Sequence, residues 1–191
     1  MAQGLDVRDL AAMRGERLVL ARIGFAVAPG GALLLEGPNG SGKSTLLRVL
    51  AGLARAEVGE VRWHGAEVPA ELITYVGHLD AIKPGMSVSE NLAFWGTPAA
   101  VVAALAQVGL AELAELPARM LSAGQRRRLA LARLGLSTAP IWLLDEPTLG
   151  LDTASVTRLG GMLAVHRAGG GVVVAATHLP LPLPGAGVLR L

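Results

Sequence analysis

A chain of 191 residues that is 52% hydrophobic and 17% charged has the length and apolar content of one folded domain, which excludes a disordered tail. The formal net charge is only +2, and no basic block is longer than Arg126-Arg127-Arg128, a run expected on a solvated helix face; a clustered basic surface for nucleic acid is therefore not expected. With no cysteine, disulfides, thiolate chemistry and zinc–thiolate sites are excluded.

The opening stretch MAQGLDVRDL carries acids early and has no long apolar core, so no signal peptide is expected. Two long uncharged stretches fall short of a membrane span. Asn91 to Ala111 is interrupted by Gly96, Thr97, Pro98, Gln107 and Gly109, and Gly169 to Leu189 holds Pro180, Pro182 and Pro184. The expectation is a soluble domain with an apolar surface suited to docking onto something greasy.

In chain order, RLVLARIGFAV (residues 17–27) reads as a strand followed by a turn at Pro29-Gly30-Gly31, and ALLLEG as a buried strand ending at Gly37. A helix follows in STLLRVLAGL. EVRWHG and LITYVGH read as further strands. Between His78 and Ile141 the strands stop and helices take over. Thr97-Pro98 is an N-cap with proline at the first helical position, and Val101, Leu105 and Val108 repeat at helical spacing as core contacts. IWLLDE and GVVVAATH close the series as buried strands. Continuous apolar strands separated by helices imply a sheet buried on both faces and at least partly parallel.

Three stretches carry chemistry. GPNGSGKST, residues 37–45, fits G-x-x-x-x-G-K-[ST] between a strand and a helix. Its glycines let the N–H groups of Gly37, Pro38-Asn39, Gly40, Ser41 and Gly42 turn toward an anion (Pro38 itself lacking a donor), and the helix points its positive end at the same place. Lys43 is placed to hold β- and γ-phosphates, Ser44 to ligate Mg²⁺, and Thr45 to touch the α-phosphate. Asp145-Glu146 end a run of four apolar residues, a costly place for two acids unless a cation compensates. Asp145 is a candidate for the Mg²⁺ shell and Glu146 for polarising the attacking water. LSAGQRRRLALARL opens with Ser122-x-x-Gln125, a capping-box pattern whose small residues leave a helix N-terminus open to an anion.

LSAGQRRRLALAR resembles the signature of ATP-binding cassette proteins, and GPNGSGKST, LLDEP and LGLD fall in that family's order across essentially the whole chain. The resemblance implies an α/β fold: a P-loop nucleotide-binding domain with a mostly parallel core sheet, an N-terminal antiparallel β part and a small helical subdomain. It implies one domain over residues 1–191, with a core of 1–80 and 137–191 and a helical part of about 81–136. It also implies ATP with Mg²⁺, and a second cassette, as a homodimer in the ATP-bound state, whose Ser122, Gly124 and Gln125 close on the nucleotide. Asp152 matches the loop that communicates between the two sites, and His178 the switch histidine that senses the γ-phosphate.

Three roles are open to His78 on the residues alone: a core histidine, a metal ligand, or a polar group facing the reaction. Most cassettes carry glutamine there, touching the metal or the attacking water. An imidazole can accept at one nitrogen and donate at the other, and it can titrate near neutrality. With SVSENLAFW and the compact length, this histidine is similar to the ATP-binding subunits of cytochrome c maturation, also called haem-exporter ATP-binding proteins. That resemblance implies a peripheral subunit on the cytoplasmic face of a bacterial inner membrane. It implies membrane subunits of the maturation system as partners, with hydrolysis helping to release a haem-loaded periplasmic chaperone. Where cassettes stack an aromatic on adenine this chain has Arg14, whose guanidinium can also stack. Two other readings remain: a cassette for another exported substrate such as a lipid or lipoprotein, and a soluble cassette acting on nucleic acid or ribosomes.

Overall fold

The computed structural model describes residues 4–191. The first three residues of the opening stretch and of the expected core segment lie outside them. β1 (Leu5–Arg14) and β2 (Arg17–Val27) form an antiparallel hairpin, with Arg14 opposite Arg17 at its turn. β3 (Ala32–Glu36) leads through the phosphate loop into α1 (Lys43–Leu50). β4 (Val58–Trp63) and β5 (Ala66–Glu67) complete a four-stranded antiparallel sheet in the order β2-β1-β4-β5.

β6 (Ile73–Val76) is followed by the helical stretch: α2 (Glu90–Ala93), α3 (Pro98–Gln107) and α4 (Ala123–Ala132). β7 (Ile141–Asp145), α5 (Thr153–Ala168), β8 (Val172–Ala176) and β9 (Gly187–Arg190) then finish the second sheet, whose order is β6-β7-β8-β3-β9. Every strand pair in that sheet is parallel. The expected mostly parallel sheet with an antiparallel N-terminal part and a helical insert is the observed architecture.

The strands of the parallel sheet read as unbroken apolar runs because both faces are covered. β7 and β8 are buried at every position. On one face, Leu46 and Leu47 of α1 are fully buried against Leu33, Leu35, Leu143 and Val174. Each such leucine contributes about 1.5–3 kcal/mol relative to an exposed one. On the other face, Leu159 and Leu163 of α5 pack on Trp142, Leu144, Val173 and Ala175. The helical stretch has an apolar cluster of its own, in which Val101, Leu105 and Val108 meet Leu92, Leu110, Leu121 and Leu129. Thr97 caps α3, its hydroxyl accepting from the Ala100 amide at 3.4 Å, with Pro98 in the first turn.

The register puts the chemistry on one edge. Leu35 and Asp145 both pair with Ala176, and Val76 pairs with Leu144. The carboxyl ends of β3, β6, β7 and β8 therefore reach the same rim of the sheet, where open parallel α/β sheets bind their ligands.

Candidate nucleotide-binding and hydrolysis site

The phosphate loop occupies that rim. Gly42 is the N-cap of α1 at φ 109°, and a Cβ there would stand 2.8 Å from Leu20 Cδ2 and 3.0 Å from Val19 Cγ1. Only glycine both reaches this backbone conformation without strain and lets β2 lie against the loop. Lys43, Ser44 and Thr45 form the first turn of α1, whose amide N–H groups have no helical acceptor and face an incoming anion. Lys43 is buried, and its ammonium donates to the carbonyls of Gly37 at 2.7 Å and Pro38 at 3.0 Å. The charge is thus held inside the loop. Pro38, Asn39 and Gly40 form its exposed outer curve.

Ser44 Oγ donates to Asp145 Oδ1 at 3.1 Å, joining the two sequence-distant candidates. Asp145 is buried, yet its Oδ2 has no hydrogen-bond donor, and neither does the buried Ser41 Oγ a partner. A buried carboxylate oxygen left unpaired beside a hydroxyl is costly unless a cation completes it, so this donor set fits a hard divalent ion.

Glu146 follows at φ 50°, the left-handed region, its amide held by the Ala176 carbonyl at 2.8 Å. Its Oε2 accepts from the His178 amide at 3.3 Å, and its Oε1 lies 3.7 Å from His178 Nε2. The Glu146 carboxyl is largely sheltered while the His178 ring is half exposed, which leaves the pair open on one side to a water and a phosphate.

His78 lies just beyond β6, on the same rim, and is exposed. The core reading of this histidine is thereby excluded. Among the described residues it makes no hydrogen bond to Ser44, Asp145 or Glu146, and no group of three or more His, Asp or Glu side chains is arranged to hold a metal alone. Arg14 is exposed at the hairpin turn beside the exposed Met13 and Leu18.

The signature residues serve a cap. Ser122 Oγ accepts from the Gln125 amide at 3.2 Å and Gln125 Oε1 accepts from the Ser122 amide at 2.8 Å, the reciprocal capping box. Gly124 lies so close to the loop after β7 that a Cβ would be 2.8 Å from the Gly150 carbonyl. Asp152 caps α5, accepting from the Ser155 amide at 2.7 Å, and the Ser155 side chain, followed by this amide, holds its carboxyl below the usual range. In this chain Ser122, Gly124, Gln125 and Asp152 make no hydrogen bond to the phosphate loop among the described residues.

The arginine triplet departs from the expected solvated helix face. Arg127 is buried, and all three guanidinium groups donate to backbone carbonyls of this chain: Arg126 to Leu121, Arg127 to Gly77, Asp145 and Glu146, and Arg128 to Val108 and Gly109. A run of three arginines carries no signal of which one turns inward, so sequence reasoning missed Arg127. It also missed Tyr75, which shares a sheet face with Leu143 and Asp145. Burial pushes the Tyr75 phenol up and the Arg48 guanidinium works against it, while the Asp145 charge adds to the rise.

The arrangement can bind a nucleoside polyphosphate, hold a divalent ion and polarise a water, which defines a P-loop nucleotidase. The profile of the ABC transporter family matches residues 20–149, more than half of the chain. A putative ABC transporter ATP-binding protein from Pyrococcus furiosus has the same fold, with a TM-score of 0.85 at 24% identity over 98% of this chain and 96% of that one. The cytochrome c biogenesis ATP-binding export protein CcmA of Rhodospirillum rubrum is 54% identical over 96% of this chain and 83% of its own length. The CcmA of Paramagnetospirillum magneticum is 52% identical over 97% and 93%. The chain belongs to the ABC transporter ATP-binding family and, within it, to the CcmA family of cytochrome c biogenesis ATP-binding export proteins. It is an ATP-hydrolysing enzyme of the ABC class.

Proposed function

We propose that this protein is the ATP-hydrolysing subunit of a membrane ABC complex that matures c-type cytochromes, hydrolysis helping to release a haem-loaded periplasmic chaperone. The chemistry rests on one observation above all: Ser44, Asp145 with its unpaired oxygen, and the Glu146–His178 pair stand together on the rim that carries the phosphate loop. The assignment to cytochrome maturation draws on the likeness to CcmA proteins at about half identity over nearly the full chain.

The β- and γ-phosphates of ATP lie on the loop amides and the first turn of α1, with Lys43 turning its ammonium from Gly37 and Pro38 toward them. Ser44 and Asp145 are the residues that would hold Mg²⁺, and His78, exposed just beyond β6, would turn toward the same ion. The ion would neutralise charge building on the phosphates. Glu146 takes a proton from the attacking water, and His178 hydrogen-bonds the γ-phosphate and reports its presence to Glu146. Arg14 stacks on the adenine. Ser122, Gly124 and Gln125 close on the ATP of a second copy in a nucleotide-bound homodimer, and Asp152 sits in the loop between the two sites. The described part of residues 1–80, with 137–191, forms the core and about 81–136 a helical lobe, a division supported by the separate apolar cluster of that stretch. The subunit works on the cytoplasmic face of the inner membrane beside the membrane subunits of the system; among the described residues no helix is long and apolar enough to cross the membrane itself.

Glu146→Gln keeps the shape and removes the base. We expect ATP binding to persist while turnover falls by at least about 10²-fold, the usual weight of general-base catalysis. Nucleotide titration and phosphate release measure both, and undiminished hydrolysis would dismiss Glu146 as the base. For the cargo, deletion of the gene followed by staining for covalently bound haem should remove all c-type cytochromes and spare b-type haem proteins.

A further inference from the structure

We infer that Arg127 is a positioning residue for hydrolysis: its guanidinium holds the backbone of Glu146 in its working conformation and straps it to the loop that carries His78. The inference rests on the reading of Glu146 as the general base.

Arg127 lies in α4, remote in sequence from either segment, and its side chain is 6% exposed. Nη2 donates to the Asp145 carbonyl at 2.7 Å and to the Glu146 carbonyl at 2.8 Å. Nη1 donates to the Gly77 carbonyl at 2.9 Å and to Asp80 Oδ1 at 3.0 Å. These bonds flank Glu146 on one side and His78 on the other. A planar fork with fixed donors is the side chain that can bridge four such acceptors; a lysine ammonium cannot reach both pairs.

The conformation of Glu146 shows why the bridge matters. In an extended strand successive carbonyls point in opposite directions. At φ 50° the carbonyls before and after Glu146 converge, and both meet the same guanidinium nitrogen. A non-glycine residue resists this region, and Pro147 further biases the residue before it toward extended backbone. Something must therefore hold the turn. The Ala176 carbonyl fixes the Glu146 amide and Arg127 fixes the two carbonyls. Without Arg127 the peptide after Asp145 is free to swing toward the extended form, which carries the carboxylate away from His178. Because the same guanidinium grips Gly77 and Asp80, a shift of α4 moves the Glu146 and His78 segments together.

The test measures single-turnover ATP hydrolysis and ATP affinity separately, in the full chain with its membrane subunits, well below the melting temperature of each variant. Arg127→Gln should lower the rate by about 10²-fold, the cost of misplacing a catalytic group by about 1 Å. ATP affinity should change less than about threefold, because the phosphate loop is untouched. Arg127→Lys keeps a charge opposite Asp80 and guards against a folding defect; it should also lose most of the rate. Leu105→Ala, a core change in the helical cluster, should lower the melting temperature and leave the rate below melting unchanged. In a Glu146→Gln background, Arg127→Gln should cost nothing further, since a positioning residue has no effect once its client is gone. A wild-type rate for Arg127→Gln or Arg127→Lys alongside an inactive Glu146→Gln overturns the positioning role alone, as does an equal further loss in the double variant. An active Glu146→Gln overturns the general-base reading and this inference with it.

Discussion

Gly42 shows how one residue joins nucleotide binding to the antiparallel sheet. An alanine there must take φ 109° and push its Cβ into Leu20 and Val19 of β2. The backbone strain alone costs about 1–3 kcal/mol. Since the neighbours are core side chains, overpacking adds a penalty of about 1–3 kcal/mol. Gly42→Ala is expected to lower the urea midpoint accordingly and to weaken ATP binding at least about tenfold, the equivalent of 1.4 kcal/mol; nucleotide titration beside urea unfolding measures the two effects. At this scale the sequence was readable where a residue type is irreplaceable. Gly42, Lys43 and Ser44 stand in a spacing that few other functions require, and Asp145-Glu146 follow an apolar run that makes two acids conspicuous. Arg127 was opaque for the opposite reason. Its neighbours have the same side chain, and which of the three faces Asp145 depends on how α4 is rotated against β7, a tertiary fact. His78 could be read as a polar group at a strand end, and its exposure settles that much.

Among the elements, β1 illustrates why a strand escapes pattern reading. Leu5 and Val7 alternate inward, but the register shifts between Val7 and Leu10, with Asp9 at φ 46°, so burial resumes at Leu10 and Ala12 in the opposite phase. A bulge breaks the period of two, and the acids Asp6 and Asp9 disguise what remains. β7 and β8, covered on both faces, need no alternation and were legible as plain apolar runs. The end of α5 adds a pH dependence. The His166 ring stacks on Trp142 with centroids 3.8 Å apart and planes 9° apart, and its Nε2 lies 3.3 Å from the Val172 carbonyl. Burial holds its pKa below the ordinary histidine value, with the carbonyls of Val172 and Pro140 opposing. The folded state thus binds the proton less readily than the unfolded chain. Above the unfolded value of about 6.5 both states are neutral and nothing is lost; as pH falls below it, the unfolded chain protonates first and stability declines. We expect His166→Phe, which keeps the stack and removes the proton site, to flatten the fall of melting temperature between about pH 7 and 5. An unchanged slope in thermal unfolding would assign that fall to other groups.

The whole molecule places its apolar surface where the proposed mechanism needs a partner. Phe94 is 88% exposed and Leu79 78%, and Trp95 stands edge-on to Phe94 with ring centroids 5.4 Å apart. Ile82, Met86, Phe94 and Trp95 line a cavity of about 300 Å³ that also includes Asp80 and Arg133. Leu79 directly follows His78, and Asp80 is gripped by Arg127, so a segment pressed into this cavity bears on the loop that adjoins Glu146. Phe94 stands almost wholly in water at the end of a short helix, and Trp95 beside it is half exposed, with the Arg133 guanidinium 5.9 Å from its ring centroid. If the proposed function holds, the two aromatics would suit an apolar segment of the membrane subunits, whose seating would reach the hydrolysis site through Asp80 and Arg127. Phe94→Ser is accordingly expected to leave the melting temperature and the ATP affinity nearly unchanged, since an exposed side chain shifts stability by less than about 0.5 kcal/mol. It should weaken co-purification with the membrane subunits by about 30-fold, a loss of roughly 2 kcal/mol for an aromatic anchor, and depress covalent haem staining in the cell in parallel. Full association by the variant would move the docking face elsewhere, whereas lost association with intact ATP binding would tie the membrane partner to the loop that Arg127 holds.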